Sequence, residues 1–252
     1  MKITLPANIP PNYYKAQMPS ISQADERYKV LRENPEGFFC GPVAVANILV
    51  FLARNGHQML LKPCGNLGEN QAIGRLVSQL SKLMNTYEGK GTSPDALVDG
   101  TDKYIVDRGY QLSRKKTFGW GGGNKNEADP PASVVDILEA AYEPSSAVVQ
   151  IGYYLNTHSR KNGIFYKRQS GHYVTSAGYD DAKSKTQLIF HDPDEASEGK
   201  PVYYSPQELT SGTIVNPGND KKVEANHHIS LRAYGINTVI VDSVFAFEVE
   251  RK

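Results

Sequence analysis

The longest nearly apolar stretch of the chain runs from Val43 to Ala53, interrupted only by Asn47. Pro42 sits where a first helical turn tolerates proline, and Asn55-Gly56 supplies a stop. A helix apolar nearly all round is buried rather than laid on a surface, so this segment is expected to be the central helix. Ile73, Leu76, Val77, Leu80 and Leu83 recur at three- and four-residue spacing and predict an amphipathic helix over 71–87. Thr92-Ser93-Pro94-Asp95, a cap followed by proline and an acid, opens a third helix that runs to Arg108-Gly109. A fourth is expected near 132–142.

After residue 146 the pattern changes. Ala147 to Tyr154 has the β-branched content of a buried strand, and further strands are expected near 172–178, 186–191, 202–204, 227–233, 237–242 and 244–250. Ser205-Pro206-Gln207-Glu208 fits a capping box and predicts a short helix among them. Residues 1–37 are rich in Pro, Tyr and polar side chains and lack periodicity, so they read as an extended arm ending in a turn at Asn34-Pro35-Glu36-Gly37. Residues 119–131 read as a loop. Helices first and a mostly antiparallel sheet after argue for an α+β fold. With no repeat and no clean linker, a single domain over 1–252 is expected: an arm over 1–33, a helical lobe over about 38–145 and a β lobe over about 146–252.

Composition narrows the function classes. The chain has 252 residues, 39% hydrophobic and 22% charged, enough for one domain with a sizeable core. A formal charge of +1 leaves no electrostatic footprint for nucleic acid or an anionic membrane, and Arg114-Lys115-Lys116 and Lys221-Lys222 are short enough to be solvated turns or edges. Two cysteines, Cys40 and Cys64, do not make a disulfide scaffold; they fit a reducing compartment, or one functional thiol and a bystander. Met1 to Leu5 is followed at once by Pro6, Asn8, Pro10 and Pro11, which leaves no room for the apolar core of a secretory signal. The apolar run from Val43 is too short to span a bilayer. No membrane insertion is expected, and a cytoplasmic location or delivery by a signal-less route follows.

Three local features carry candidate chemistry. Phe38-Phe39-Cys40-Gly41-Pro42 places a cysteine at the N-terminus of the central helix. There the helix dipole and unpaired backbone N–H groups favour the thiolate, the form that attacks a carbonyl carbon. The same position also suits a small buried hydrophobe. The other two features are Gly171-His172-Tyr173-Val174 and Phe190-His191-Asp192-Pro193, on apolar strands joined through Gly178-Tyr179-Asp180-Asp181-Ala182-Lys183-Ser184-Lys185. A turn centred on Ala182 sets His172 opposite Asp192, within reach of an imidazole–carboxylate hydrogen bond. A histidine at a strand start is also an ordinary polar residue, but one facing a carboxylate, with a cysteine on a helix tip, makes a nucleophile–base–acid set. Asp194 is a second candidate for the acid.

These segments resemble the papain-like cysteine peptidase superfamily. The nearest branch is the bacteriocin-leader (double-glycine) processing peptidases and their stand-alone relatives. Gly91-Thr92-Ser93-Pro94, with its helix ending at Gly109-Tyr110, also looks like the region between nucleophile and histidine in that branch. The resemblance spans roughly residues 34–210, and residues 211–252 match no known pattern. It implies a central helix carrying the nucleophile, packed against a mostly antiparallel sheet, with Cys40 as nucleophile, His172 as base and Asp192 as orienting acid. It implies a peptide or protein substrate cleaved through a thioacyl-enzyme, with no cofactor. Papain-like enzymes usually carry Gln six residues before the cysteine as an oxyanion donor; here Asn34 stands there, also suited to a turn before Pro35. Phytochelatin synthase has a similar Phe-Cys-Gly and His/Asp layout, so acyl transfer is an alternative, as is a non-catalytic peptide-binding module. No metal site is expected: His57, His191, His227 and His228 show no ligand spacing, Cys64 has no partner nearby in sequence, and Asp192-Pro193-Asp194 lacks the rest of a calcium loop. Gly119 to Gly123 with Trp120 lacks the Gly-Lys-Ser/Thr of a phosphate cradle; it reads as a surface loop or a rim near the site.

Overall fold

The computed structural model describes residues 9–33, 38–61, 68–86, 91–120, 132–142, 144–159, 163–181, 185–194, 200–218, 220–234 and 237–252. Asn34, Cys64, Ala182 at the expected turn centre, and 121–131 of the expected loop lie outside them.

The apolar run forms helix α2 (Cys40–Arg54), buried from Cys40 to Ala53. The short α1 (Lys29–Arg32) precedes it, and α3 (Glu69–Leu83) and α4 (Pro94–Asp107) follow. In α3 the expected stripe of Ile73, Leu76, Val77 and Leu80 is buried. Helix α4 opens where Ser93 Oγ accepts the Ala96 N–H at 3.2 Å, and α5 (Val134–Ala141) opens on a capping box between Ser133 and Asp136.

Eleven strands among the described residues form one mostly antiparallel sheet. They are β1 (Asn12–Tyr14), β2 (Tyr110–Gly119), β3 (Ser146–Ser159), β4 (Gly163–Asp180), β5 (Gln187–His191), β6 (Val202–Tyr204), β7 (Gln207–Glu208), β8 (Thr213–Asn216), β9 (Lys221–Glu224), β10 (Ile229–Tyr234) and β11 (Asn237–Arg251). The main order is β6-β5-β4-β3-β11-β10-β7; β2 also pairs with β11, β1 with β4, and β8 runs parallel to β4. The fold is α+β.

Alternation along the strands fills two cores. Val148 and Tyr173 join the cluster under α2, α3 and α4, whereas Val149, Ile151 and Val174 join the cluster with α5 on the other face. Asn47, the polar break in the apolar run, is fully buried and fixes α2 in place. Its Oδ1 accepts the Ile21 N–H at 2.9 Å, and its Nδ2 donates to Thr175 Oγ1 at 3.4 Å. Thr175 Oγ1 in turn donates to the Ala44 carbonyl at 2.8 Å. One buried amide therefore ties the helix to both the N-terminal arm and β4.

A second polar cluster lies between β3, β4 and β11. Asp242, fully buried, accepts from Tyr154 Oη at 2.5 Å, Arg168 Nε at 2.8 Å and Trp120 Nε1 at 3.3 Å. Burial pushes its carboxyl up, while Arg168 and these hydrogen bonds oppose that rise. Gly152 and Gly171 face each other beneath the pair, and a Cβ on Gly152 would stand 2.6 Å from the Asp242 carboxylate. The glycines leave the floor on which the ion pair lies.

Several elements differ from expectation. The stretch expected to be helical also contains β2, which pairs with β11 along its length. The strand expected over 172–178 begins earlier, at Gly163. Strands expected at 237–242 and 244–250 are one strand that continues through an irregularity between Val241 and Ser243. Ser205–Glu208 does not form a helix; Gln207 and Glu208 pair instead with Ser230 and Ile229. One helical turn is costly to nucleate, whereas the open edge of β10 supplies backbone partners at once. The arm also contributes more than extended chain, with α1 and a strand whose Asn12 faces Asp180.

Candidate active site

Cys40 is the first residue of α2, and the first turn carries no acid. Phe39 at the N-cap offers no side-chain acceptor and Pro42 has no N–H, so the amides of Cys40 and Gly41 are the donors at the helix tip. The loop before α4 packs against this tip. A Cβ on Gly41 would stand 2.7 Å from Thr92 Oγ1, whose own partner is Thr86 Oγ1 at 2.5 Å. The Gly91-Thr92-Ser93-Pro94 segment singled out in the sequence thus meets Cys40-Gly41 in space.

His172 lies on β4 just beyond the last rung to β5, Thr175↔His191. Its Nε2 is 2.7 Å from Asp192 Oδ1, and Cys40 is near enough to the ring to act on its protonation. With Nε2 turned to the carboxylate, Nδ1 is the nitrogen left for the thiol. Burial alone would push this imidazole down. The hydrogen bond and charge of Asp192, together with the neighbouring Cys40, outweigh it and raise His172 to about 10. All three side chains are buried.

Asp192 follows the end of β5, where Pro193 turns the chain. Its Oδ1 also accepts the Asp194 N–H at 2.9 Å, which locks the turn. Asp194 brings a second carboxylate, with Oδ2 at 3.7 Å from His172 Nε2 and a side chain half exposed. Gln23 from the arm donates its Nε2 to Asp194 Oδ1 and its backbone N–H to the Pro193 carbonyl at 3.0 Å. Tyr153, 38% exposed, feels the charges of Asp192, Asp194 and Cys40, which with burial raise its phenol. His172, Asp192 and Asp194 each place one ligand atom within 4.8 Å of the others, a donor set of the kind a divalent cation uses.

The structure therefore brings Cys40, His172 and Asp192 together, but not through the expected ladder. Thr175 faces His191 and Ser176 faces Phe190, after which the register shifts so that Gly178 faces Ile189. In this register Asp192 is not the cross-strand partner of His172; it reaches the imidazole from the turn past β5. The frame departs from the expectation at the rungs nearest the turn: Asp180 faces Gln187, whereas a turn centred on Ala182 would set it opposite Ser184, and the shift between Ser176 and Gly178 makes up only one residue of that difference. Asn34 lies outside the described residues. Of the other histidines, His57 stacks near Tyr110, His227 pairs with Glu208 at 2.6 Å, and His228 lies against the Trp120 ring. Gln23 was not foreseen: it sits in an arm without periodicity and belongs to no motif. The roles of Asn47 and Thr175 also went unread, although a lone Asn inside an apolar helix is a signal that something polar faces it.

Comparison with protein-family models and with curated proteins gave no match for this chain.

Proposed function

We propose that this chain is a papain-like cysteine hydrolase that cleaves a peptide or amide bond, with Cys40 as nucleophile, His172 as base and Asp192 as orienting acid. The observation that carries the reading is one buried imidazole, with a carboxylate at 2.7 Å and a cysteine at a helix tip close enough to act on its protonation. A carboxylate on Nε2 fixes the tautomer and stabilises the imidazolium, and the imidazolium beside Cys40 stabilises the thiolate.

In the proposed reaction His172 holds the proton of Cys40 while Sγ attacks the substrate carbonyl carbon. The negative charge that develops on the carbonyl oxygen faces the helix tip, where the Cys40 amide donates; Asn34 is the proposed second donor. The tetrahedral adduct collapses as the C–N bond breaks and His172 passes the proton to the departing amine. Water then gives a proton to His172 and attacks the thioester, releasing the acid and returning Sγ and the proton to their starting places.

The test is a thiol-directed activity probe together with cleavage profiling of a peptide library, on the wild-type chain and Cys40→Ala. Labelling at Cys40 and cleavage lost in the variant support the reading. A Cys40 that reacts as an ordinary thiol, with no cleavage, overturns it in favour of a binding module. Cleavage products carrying an added amine in place of water would reassign the reaction to acyl transfer.

A further inference from the structure

The Asp192-Pro193-Asp194 turn has no strand partner where it meets His172, because the ladder between β4 and β5 ends at Thr175↔His191. Something else must hold it. Among the described residues the arm does so through Gln23, by backbone and side chain. The Gln23 backbone N–H donates to the Pro193 carbonyl at 3.0 Å, and its side-chain Nε2 donates to Asp194 Oδ1. The arm itself is anchored: Ile21, two residues earlier, donates to the buried Asn47 of α2 at 2.9 Å. Lys15 Nζ donates to the Ser145 carbonyl at 2.6 Å, and its backbone N–H to the Ala177 carbonyl at 2.9 Å. Gln23 Oε1 is itself buried, with no hydrogen-bond partner among the described residues. The amide is thus committed to Asp194 through its donor end.

We propose that Gln23 is a positioning residue for the Cys40–His172–Asp192 site, holding the aspartate turn so that Asp192 and not Asp194 takes the imidazole. The inference rests on the reading of the site given above. Two carboxylates compete for one Nε2, with Asp192 Oδ1 at 2.7 Å and Asp194 Oδ2 at 3.7 Å. Gln23 occupies the other oxygen of Asp194 and fixes the carbonyl between the two acids. The Asp194 N–H is thereby aimed at Asp192 Oδ1, at 2.9 Å. Released from Gln23, the half-exposed Asp194 side chain can swing to solvent or onto His172, and in either case the turn no longer presents Asp192 in one place.

The measurement is the second-order rate of iodoacetamide alkylation at Cys40, read by peptide mapping from pH 5 to 10, for wild type, Gln23→Ala, Gln23→Glu, Asp194→Asn and Gln23→Ala/Asp194→Asn. Gln23→Glu keeps the backbone bond and the size but sets a carboxylate against Asp194. Both Gln23 variants are expected to lower the rate near neutral pH about tenfold, the equivalent of one hydrogen bond to a charged group, and to move the pH profile toward that of a free thiol. Because Gln23 acts through Asp194, the double variant is expected to be no slower than Gln23→Ala alone. A Gln23→Glu profile that overlays wild type, whatever its melting temperature, overturns the proposal while leaving the site reading intact. Wild-type Cys40 that titrates as an ordinary thiol overturns both.

Discussion

Asp192 meets His172 Nε2 at 2.7 Å although the ladder between their strands ends at Thr175↔His191. The contact is made by a proline-bent turn rather than by sheet register, and it is buried on both sides. Asp192→Asn is therefore expected to keep the fold and lose most turnover, on the order of the ~10⁴-fold loss seen when a triad acid is neutralised. Asp194→Asn, whose carboxylate stands at 3.7 Å and half exposed, is expected to retain most of it. Turnover of the two variants on a cleaved peptide decides. If Asp194→Asn is the inactive one, the acid must be reassigned.

His172, raised to about 10 by Asp192 and Cys40 against the opposing effect of burial, is expected to stay protonated at pH 8. The imidazole ¹⁵N shifts should show an imidazolium there in wild type and a neutral ring in Cys40→Ala/Asp192→Asn. Alkylation of Cys40 should run fast well below pH ~8.5, where an ordinary thiol is still mostly protonated. Equal labelling of Cys40 and Cys64 across that range would remove the ion pair from the account.

His191 behaves oppositely. Burial holds it down to about 4, its Nδ1 has no partner among the described residues, and its Nε2 lies 3.5 Å from Tyr14 Oη. The unfolded chain takes up a proton near pH 6.5, the folded one only near 4, so stability is full above 6.5 and falls as pH drops through that window. The loss attributable to this group is up to about 3 kcal/mol. Urea melts at pH 7 and pH 4.5 should show a smaller acid loss for His191→Phe than for wild type. Equal losses would mean that other groups govern the acid limb.

Gly41→Ala should be harmful for a reason local to the tip of α2. The added Cβ meets Thr92 Oγ1 at 2.7 Å and Thr92 Cβ at 2.9 Å, an overpacking that typically costs about 1–3 kcal/mol. A thermal melt should register it, and Cys40 alkylation should slow as the helix tip shifts. A variant as stable and as reactive as wild type would show that the loop yields freely.

For Asn34, the proposed oxyanion donor, Asn34→Ala should lower kcat and kcat/KM together with KM little changed, by ~10²–10³. Asn34→Gln should restore or improve the rate if the shorter amide is a lesser version of the same device. A change confined to stability would make the residue a turn former.

The sequence made α2, α3 and α4 legible because each carries a local signal: the nearly apolar run of α2, the stripe of α3, and the Ser93 cap with Pro94 opening α4. It made Cys40, His172 and Asp192 legible as residue types next to characteristic neighbours. It did not reveal β2 or the first half of β4, whose alternating polar residues such as Arg114, Lys116, Lys167 and Gln169 carry little apolar signal. Strand β2 is stabilised by β11, far away in the chain, which no local window contains; the first half of β4 pairs with the neighbouring β3 and, from Phe165 to Lys167, with the distant β8. The same limit hid Gln23. Its importance comes from where the arm is pinned, and the pin is an asparagine on another element.

Strand β11 pairs with β2, β3 and β10, and its rungs include Ser243↔Gly119 and Arg251↔Tyr110. As the chain is made, β2 and β3 emerge long before the strand that joins them. Closing so large a loop is slow, and until it closes both strands present open backbone edges to any neighbouring chain. The residues from Asn237 to Arg251 therefore act as the seam of the sheet, and a nascent chain stalled before Asn237 would hold β3 beside the strand of His172 but leave its other edge, and β2, without the strand that joins them.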